Sequence, residues 1–440
     1  MHFLYNVLVL LLVVMAIPVF TYRLIRENGF GERLKQSFGF LPAETIRKVA
    51  FKNAIWLHAA SVGEIVATSP IVKEIKKQMP GSVIVVSVVT ASGYDMAKRI
   101  IPEADGIMYF PIDLPLLSTR VIRIIKPKVF MLVETELWPN FLKAARQADI
   151  PVMMVNGRIS DKSVKRYRYL GRILQDMLGT LSRFCMQSLI DAQYIIGLGA
   201  HPDRVIVTGN TKYDQTYTDV TAEEKQSLIR QYGFDGLGPV IVAGSTHKGE
   251  EEYLFTAFAQ LRQVFPTIAM VIAPRDILRA DELVSMAADH GCSGVKRGKL
   301  SAGRLEHDVV ILDTIGELGR VYSIGDVIYV GGSLVPHGGH NILEPAAHGK
   351  PIIVGPHMFN FKEIYALLSH RNACLTVTDQ DSVNKTMTDL LTDHNLAETM
   401  SRNSRAIIDE NRGAAQKNIL ELQKMLKNKQ QKAEPDYASP

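Results

Sequence analysis

The stretch Gly331-Gly332-Ser333-Leu334-Val335-Pro336-His337-Gly338-Gly339-His340-Asn341-Ile342-Leu343-Glu344-Pro345 sets a glycine loop between an apolar run and a helix start. Backbone N–H groups in such a loop, backed by the positive end of a helix, suit an anion such as phosphate. Asn341 fits as an N-cap. Glu344, one turn further on, can accept hydrogen bonds from both hydroxyls of a ribose. The spacing is neither the GxGxxG of a dinucleotide fold nor the GxxxxGK of a P-loop, so a nucleotide sugar fits better than NAD or ATP. The competing reading is a purely structural glycine turn.

Carboxylates recur at the ends of other apolar runs. His58-Ala59-Ala60-Ser61-Val62-Gly63-Glu64 puts Glu64 in the first turn of a helix, where it is either a general base towards a hydroxyl or a dipole partner of the helix. Glu134-Thr135-Glu136-Leu137-Trp138-Pro139-Asn140 sets two acids beside Trp and Pro, with the same two readings. Pro274-Arg275 closes another run, and Arg275 is either a bidentate phosphate ligand or a surface side chain. Asp313-Thr314-Ile315-Gly316-Glu317-Leu318-Gly319 reads as a turn and then a helix, with Gly316 allowing close backbone approach.

Other features carry less. His337 and His340 have a metal-like spacing but no evident third ligand. Asp379-Gln380-Asp381 is a D-x-D string in which Asp381 reads as an N-cap. Cys185, Cys292 and Cys374 are odd in number and scattered, as buried thiols of a reducing compartment are. No G-x-S-x-G elbow is present.

Parallel strands must carry these loops. Ile55–Ala59, Val83–Val89, Val129–Val133, Val152–Asn156 and Val205–Val207 form one series of short apolar runs rich in Val and Ile. Val240–Ala243, Ala269–Ala273, Val309–Leu312, Val327–Val330, Pro351–Val354 and Cys374–Val377 form a second. Continuous rather than alternating apolarity marks strands buried on both faces. Helical patterns lie between them, at Ala67–Gln78, Leu137–Ala148, Glu251–Val264 and Asp281–His290, which predicts doubly wound α/β domains of five or six strands each. The 440 residues and 47% hydrophobic content suit two such domains. The seam falls at Gly209–Asp219, before a helix led by Thr221–Glu223. Leu390–Lys427 reads as largely helical, and the polar tail from Asn428 as disordered. Ligands of such sheets bind at the carboxyl ends of strands, where all these loops lie.

The N-terminus departs from a soluble pattern. Phe3 to Phe20 is apolar, with Asn6 its one strongly polar side chain, and is just long enough to span a bilayer core. Arg23, Arg26, Arg33 and Lys35 follow, and no Lys or Arg precedes it, which predicts an uncleaved anchor with the body on the cytoplasmic side. A cleaved signal peptide would want a basic start and a small-x-small site. The net charge of +5 does not indicate nucleic acid. It suits an anionic membrane surface or phosphorylated substrates better.

Taken together, His58–Glu64, Glu134–Asn140, Gly209-Asn210-Thr211-Lys212-Tyr213-Asp214, Ala243–Glu251 and Asn341–Pro345 closely resemble the lipid IVA-specific 3-deoxy-D-manno-octulosonic acid (Kdo) transferase family of lipopolysaccharide biosynthesis. The resemblance covers nearly the whole chain. It implies a GT-B fold, with two Rossmann-like domains facing a cleft and one N-terminal transmembrane helix. The expected division is an anchor at 1–22, an acceptor domain at 23–214, a CMP-sugar domain at 215–427 and a tail at 428–440. The implied donor is CMP-Kdo, the acceptor is lipid IVA, and the place is the inner membrane of a Gram-negative bacterium. The implied general base is Glu64, assisted by Glu134 and Lys212, with Glu136 the rival of Glu134. The implied CMP contacts are Pro274, Arg275, Ile315, Gly316, Glu317, Asn341, Ile342, Leu343 and Glu344.

On that resemblance Glu64 takes the proton of the acceptor hydroxyl in a single inverting displacement. CMP leaves as a monophosphate, so no diphosphate charge calls for Mg²⁺, and neither metal nor cofactor is expected. Lys212, Arg275 and the helix start near Asn341 are the candidates to stabilise the departing phosphate. The basic run Lys165-Arg166-Tyr167-Arg168, with Arg172, is either a membrane contact or an ordinary solvated helix face. The alternatives are another anchored GT-B transferase with a heptose or GlcNAc donor, a nucleotide-sugar 2-epimerase, and a non-catalytic nucleotide-binding module.

Overall fold

The computed structural model describes residues 2–27, 29–215, 220–300 and 307–433. The chain divides into two compact units. The first runs to Gln215 and takes in the residues from Asn411 onward, and the second is Thr216–Glu410.

The first unit is built on seven parallel strands: β1 (Ile55–His58), β2 (Ile84–Val88), β3 (Gly106–Tyr109), β4 (Val129–Val133), β5 (Val152–Gly157), β6 (Leu181–Met186) and β7 (Val205–Val207). Their spatial order is β3-β2-β1-β4-β5-β6-β7. Helices cover both faces, so side chains on both faces of each central strand are buried. On one face Trp56, Phe110, Phe130 and Phe141 form an aromatic cluster. On the other, Ile55, Leu57, Met131 and Val133 pack with Ile65 and Ile71 of helix Val62–Gln78. Order reverses between β1 and β4, which lie side by side, and loops leaving that switch point are where such sheets bind ligands.

The second unit carries β8 (Val240–Thr246), β9 (Ala269–Pro274), β10 (Gly294–Lys296), β11 (Val309–Ile311), β12 (Val327–Val330), β13 (Ile352–Val354) and β14 (Cys374–Thr376). They run parallel in the order β10-β11-β9-β8-β12-β13-β14. Its switch point lies between the adjacent β8 and β12. Cys185, Cys292 and Cys374 are buried and form no disulfide.

Both sheets exceed the expected five or six strands, and the additional ones have physical reasons to be inconspicuous. β3 and β10 are edge strands, with a half-exposed pattern and a leading glycine in each. In β6, Ser182 and Arg183 interrupt the apolar run. The far C-terminus corrects a larger expectation, since helix Ala414–Ala433 belongs to the first unit rather than the second. Ile419 and Leu422 enter the cluster beneath β1 and β4, and Arg183 Nε lies 3.1 Å from Glu421 Oε2. The Asp214 carboxylate accepts from the N–H groups of Gly413 (2.5 Å) and Ala415 (2.6 Å), capping the returning helix. Residues 428–433, expected to be disordered, continue that helix. Residues 434–440 and 216–219, the end of the expected seam, lie outside the described residues.

The N-terminal helix, His2–Arg26, contains one segment long and apolar enough to cross a membrane, Phe3–Arg26. Tyr5 and Asn6, near its start, face the first unit. Tyr5 donates its hydroxyl to Asp113 Oδ2 at 2.9 Å, and Asn140 Nδ2 donates to Asn6 Oδ1 at 2.7 Å.

Candidate active site

In the first unit the loops leaving β1 and β4, with the short helix that follows β7, bring Glu64, Glu134 and Lys212 together. Ser61 has extended backbone and caps helix Val62–Gln78, accepting from the Glu64 N–H at 3.3 Å. Its hydroxyl donates to Glu64 Oε1 at 2.7 Å, and the Ala60 N–H donates to Oε2 at 2.7 Å. This reciprocal contact is a variant of the capping box, legible in the Ser-x-x-Glu spacing, though Ser61 received no role from the sequence. Glu64 is buried at 7% exposure. Burial pushes its carboxyl up to about 7; the Ser61 hydroxyl opposes that, and the charges of Glu136 and Glu134 add to it. A buried carboxyl with that pKa can take a proton near neutrality.

Glu134 follows β4 directly, with φ 58°, left-handed backbone that a non-glycine residue adopts at a cost. Its N–H donates to Val155 O at 3.0 Å, which holds the turn against β5. Lys212 Nζ lies 3.5 Å from Glu134 Oε1, so of the two acids in this loop Glu134 takes the ion pair. Burial raises Glu136; the Trp138 indole opposes this, and the Glu134 charge adds to it. Lys212 sits on the short helix Thr211–Asp214, which is tied at both ends. The Thr211 N–H donates to Asn156 Oδ1 at 2.9 Å, and the Thr211 hydroxyl donates to Ala67 O at 2.7 Å. Beyond Thr211, the Asp214 carboxylate holds the terminal helix. A Cβ at Gly63 would stand 3.9 Å from Lys212 Nζ, an ordinary contact distance, so the Lys212 ammonium lies beside the Glu64 turn. Asn156 and Thr211 were not singled out in the sequence, because their partners are remote along the chain. From the basic run, Tyr167 donates its hydroxyl to Thr135 O at 3.2 Å and so steadies the Glu134 loop.

His58, at the end of β1, is fully buried and stacked on Phe110 at 3.9 Å. Desolvation pushes its pKa down to about 3, so it stays neutral and serves the core beneath the loop.

The second unit revises the anion reading of the glycine loop. Its backbone donors do face a carboxylate, but an internal one. Glu250 is fully buried and accepts from the N–H groups of Gly332 (2.5 Å), Leu334 (3.2 Å) and Ser333 (3.3 Å). It also accepts from the His247 N–H at 2.9 Å and the Tyr329 hydroxyl at 2.7 Å. Gly331 has no alternative residue here, since a Cβ would lie 2.4 Å from Ser245 O and 2.7 Å from Glu250 Oε2. The helix that follows is Leu343–Ala347, five residues, too short to contribute much dipole. Its N-cap is Ile342 rather than Asn341, although Asn341 Oδ1 accepts from the Leu343 N–H at 3.1 Å.

His337 and His340 do not stand apart as a metal pair. His247, from the end of β8, stacks on His337 at 4.2 Å, and its Nε2 lies 2.8 Å from His340 Nε2. Among the described residues no group of three His, Cys, Asp or Glu side chains could hold a metal ion. Asp379, not Asp381, caps helix Gln380–Thr392, in a reciprocal box with Ser382.

All nine residues implied as CMP contacts lie in this unit. Pro274 ends β9, and the Arg275 N–H donates to Thr246 O at 2.9 Å, leaving the Arg275 side chain exposed. Ile315 is 77% exposed beside Gly316, whose φ is 94°. Glu317 is held by Thr314 (2.7 Å), Arg297 (3.1 Å) and Tyr232 (3.2 Å). Asn341 Nδ2 donates to Glu344 Oε1 at 3.1 Å, and burial raises the Glu344 carboxyl against that contact. A Cβ at Gly319 would stand 3.7 Å from Glu344 Oε2, so the Asp313–Gly319 and Asn341–Pro345 segments meet. The side chains of Ile342 and Leu343 are buried in the core.

The paired doubly wound sheets have known counterparts. The UDP-GlcNAc 2-epimerase of Neisseria meningitidis, solved bound to UDP-GlcNAc, superposes with a TM-score of 0.55 at 15% identity, over 85% of this chain and all of that one. Two such sheets define a GT-B protein, and at that identity the likeness concerns the fold alone.

Sequence relatives narrow the class. Residues 32–215 match the family model described as 3-deoxy-D-manno-octulosonic-acid transferase. A 3-deoxy-D-manno-octulosonic acid transferase of Haemophilus influenzae is 31% identical over 91% of this chain and 92% of its own. One from Chlamydophila psittaci is 30% identical over 89% of each. The chain therefore belongs to the Kdo transferase family.

Proposed function

We propose that this protein transfers Kdo from CMP-Kdo to lipid IVA at the cytoplasmic face of the inner membrane, in lipopolysaccharide biosynthesis. One observation carries the mechanism: a buried carboxyl, Glu64, raised to about 7 beside the Glu134–Lys212 pair. Glu64 takes the proton of an acceptor hydroxyl as its oxygen attacks the anomeric carbon of Kdo. The bond to the CMP phosphate oxygen breaks on the opposite face, so the centre inverts. Ser61 and the Ala60 N–H fix the carboxylate beforehand, so it needs no reorientation during reaction. Lys212, steadied by Glu134, and Arg275 offset charge on the departing phosphate. Asn341 and Glu344 address the nucleotide, the carboxylate accepting from ribose hydroxyls. Family membership supports the sugar, and the apolar N-terminal helix with the basic residues after it supports work at a membrane surface.

The test is incubation of membranes containing the protein with CMP-Kdo and lipid IVA in EDTA, with products resolved by mass. Wild type should add whole Kdo units, whereas Glu64→Ala should add none yet still bind CMP. A wild type that leaves lipid IVA unchanged would refute the acceptor. An active Glu64→Ala would refute the base.

A further inference from the structure

We propose that the groove between the N-terminal helix and the first unit seats an acyl chain of the acceptor lipid. This rests on the lipid-acceptor reading above and says where that lipid is held. The helix does not project away from the unit. Tyr5, Asn6, Val9, Val13, Ala16 and Phe20 recur at helical spacing and are half-buried, whereas Leu4, Leu11 and Met15 on other faces are exposed. The hydrogen bonds of Tyr5 and Asn6 secure one end. Between helix and unit lies a cavity of about 490 Å³, walled by Val9, Val13, Ala16 and Phe20 on one side and by Phe110 and Trp138 on the other. That volume is in the range of small-ligand sites, ~300–1,000 Å³.

Charge selects the occupant. At the far end Arg23 and Arg33 flank Phe30, with guanidinium carbons 5.9 and 5.8 Å from its ring centre. Arg23 and Arg33 both line the cavity at this end, and the one acid among the lining residues, Asp113, lies at the Tyr5 end. Glu27, 3.8 Å from Arg23, offsets one guanidinium, Glu32 is paired with Lys35, and the charge of Arg33 remains at the mouth. An apolar slot with a cationic mouth fits an acyl chain on a phosphorylated headgroup. Position links it to the chemistry, because Trp138 belongs to the loop that carries Glu134 and Glu136. One loop would thus hold the lipid and dispose the carboxylates.

The test uses the full-length protein with lipid IVA and with its deacylated, water-soluble phosphorylated disaccharide. Ala16→Trp, which fills the groove, should raise KM for lipid IVA by about tenfold or more and leave the rate on the deacylated acceptor as in wild type. Equal loss on both acceptors, or no change on either, would overturn the proposal. Should Ala16→Trp misfold, wild type is irradiated with lipid IVA carrying a diazirine in one acyl chain. Adducts on Val13, Ala16 or Phe110 support the site. Adducts confined to Leu11 and Met15, or equal labelling of the groove by diazirine-phosphatidylglycerol, overturn it. Selective groove labelling by lipid IVA without Kdo transfer keeps the site and removes the catalytic reading instead.

Discussion

Glu64 combines two opposed local effects. Its turn supplies hydrogen bonds that favour the carboxylate, and its burial favours the acid. Burial wins, raising the carboxyl from 4.5 to about 7. A carboxyl raised in the folded state stabilises the fold fully below its unfolded pKa, and that contribution is lost as pH rises through about 7. At 1.36 kcal/mol per unit the loss is on the order of 3 kcal/mol. Glu64→Gln cannot ionise, so its Tm relative to wild type should climb between pH 5 and pH 8, as thermal unfolding at both values would show. Wild-type kcat/KM should rise with pH up to about 7 and then level, because only the carboxylate accepts a proton. A flat profile over that range would exclude Glu64 as the base. Lys212→Ala should lower kcat by roughly 10²-fold and weaken CMP binding less, since its charge counts most where negative charge develops. Single-turnover rates beside equilibrium CMP titration separate the two.

Among the elements, the glycine loop after β12 shows how a correct local recipe can mislead. Glycines followed by a helix start do create a row of N–H donors aimed at an anion. Here Glu250, remote in sequence and fully buried, is that anion for Gly332, Ser333 and Leu334. Glu250→Gln would present an amide NH₂ to donors that need an acceptor. We expect a cost of about 2–4 kcal/mol, read as an earlier denaturant midpoint for the second unit. Strand recognition follows the same logic. β4 and β5 were legible because both faces are buried and every position is apolar or nearly so. β6 was not, because Arg183 within it is tolerable only where Glu421 of the terminal helix reaches it.

For the whole molecule, the decisive feature is the return of the chain to the first unit. Helix Ala414–Ala433 covers apolar side chains of helix Val62–Gln78 and gives Asp214 its two N–H partners. Truncation after Glu410 would expose that surface and leave Asp214 short of donors. Hydrogen exchange should then show lost protection in β6 and helix Val62–Gln78, with β8 to β14 still protected. Since Asp214 closes the short helix that carries Lys212, the same truncation should abolish transfer even where CMP still binds.

Sequence by itself determined what depends on neighbours along the chain: continuous apolar strands, the Ser61–Glu64 turn, the apolar N-terminal run and the family motifs. Residue type and spacing along the chain carry the pattern of such features, so they can be read without knowing which segments pack together. Tertiary structure alone decided which of Glu134 and Glu136 meets Lys212, which anion fills the glycine loop, that His247 joins His337 and His340, and where the last helix lies. Each of these depends on burial and on distances through space, and both arise only when segments remote in sequence pack together.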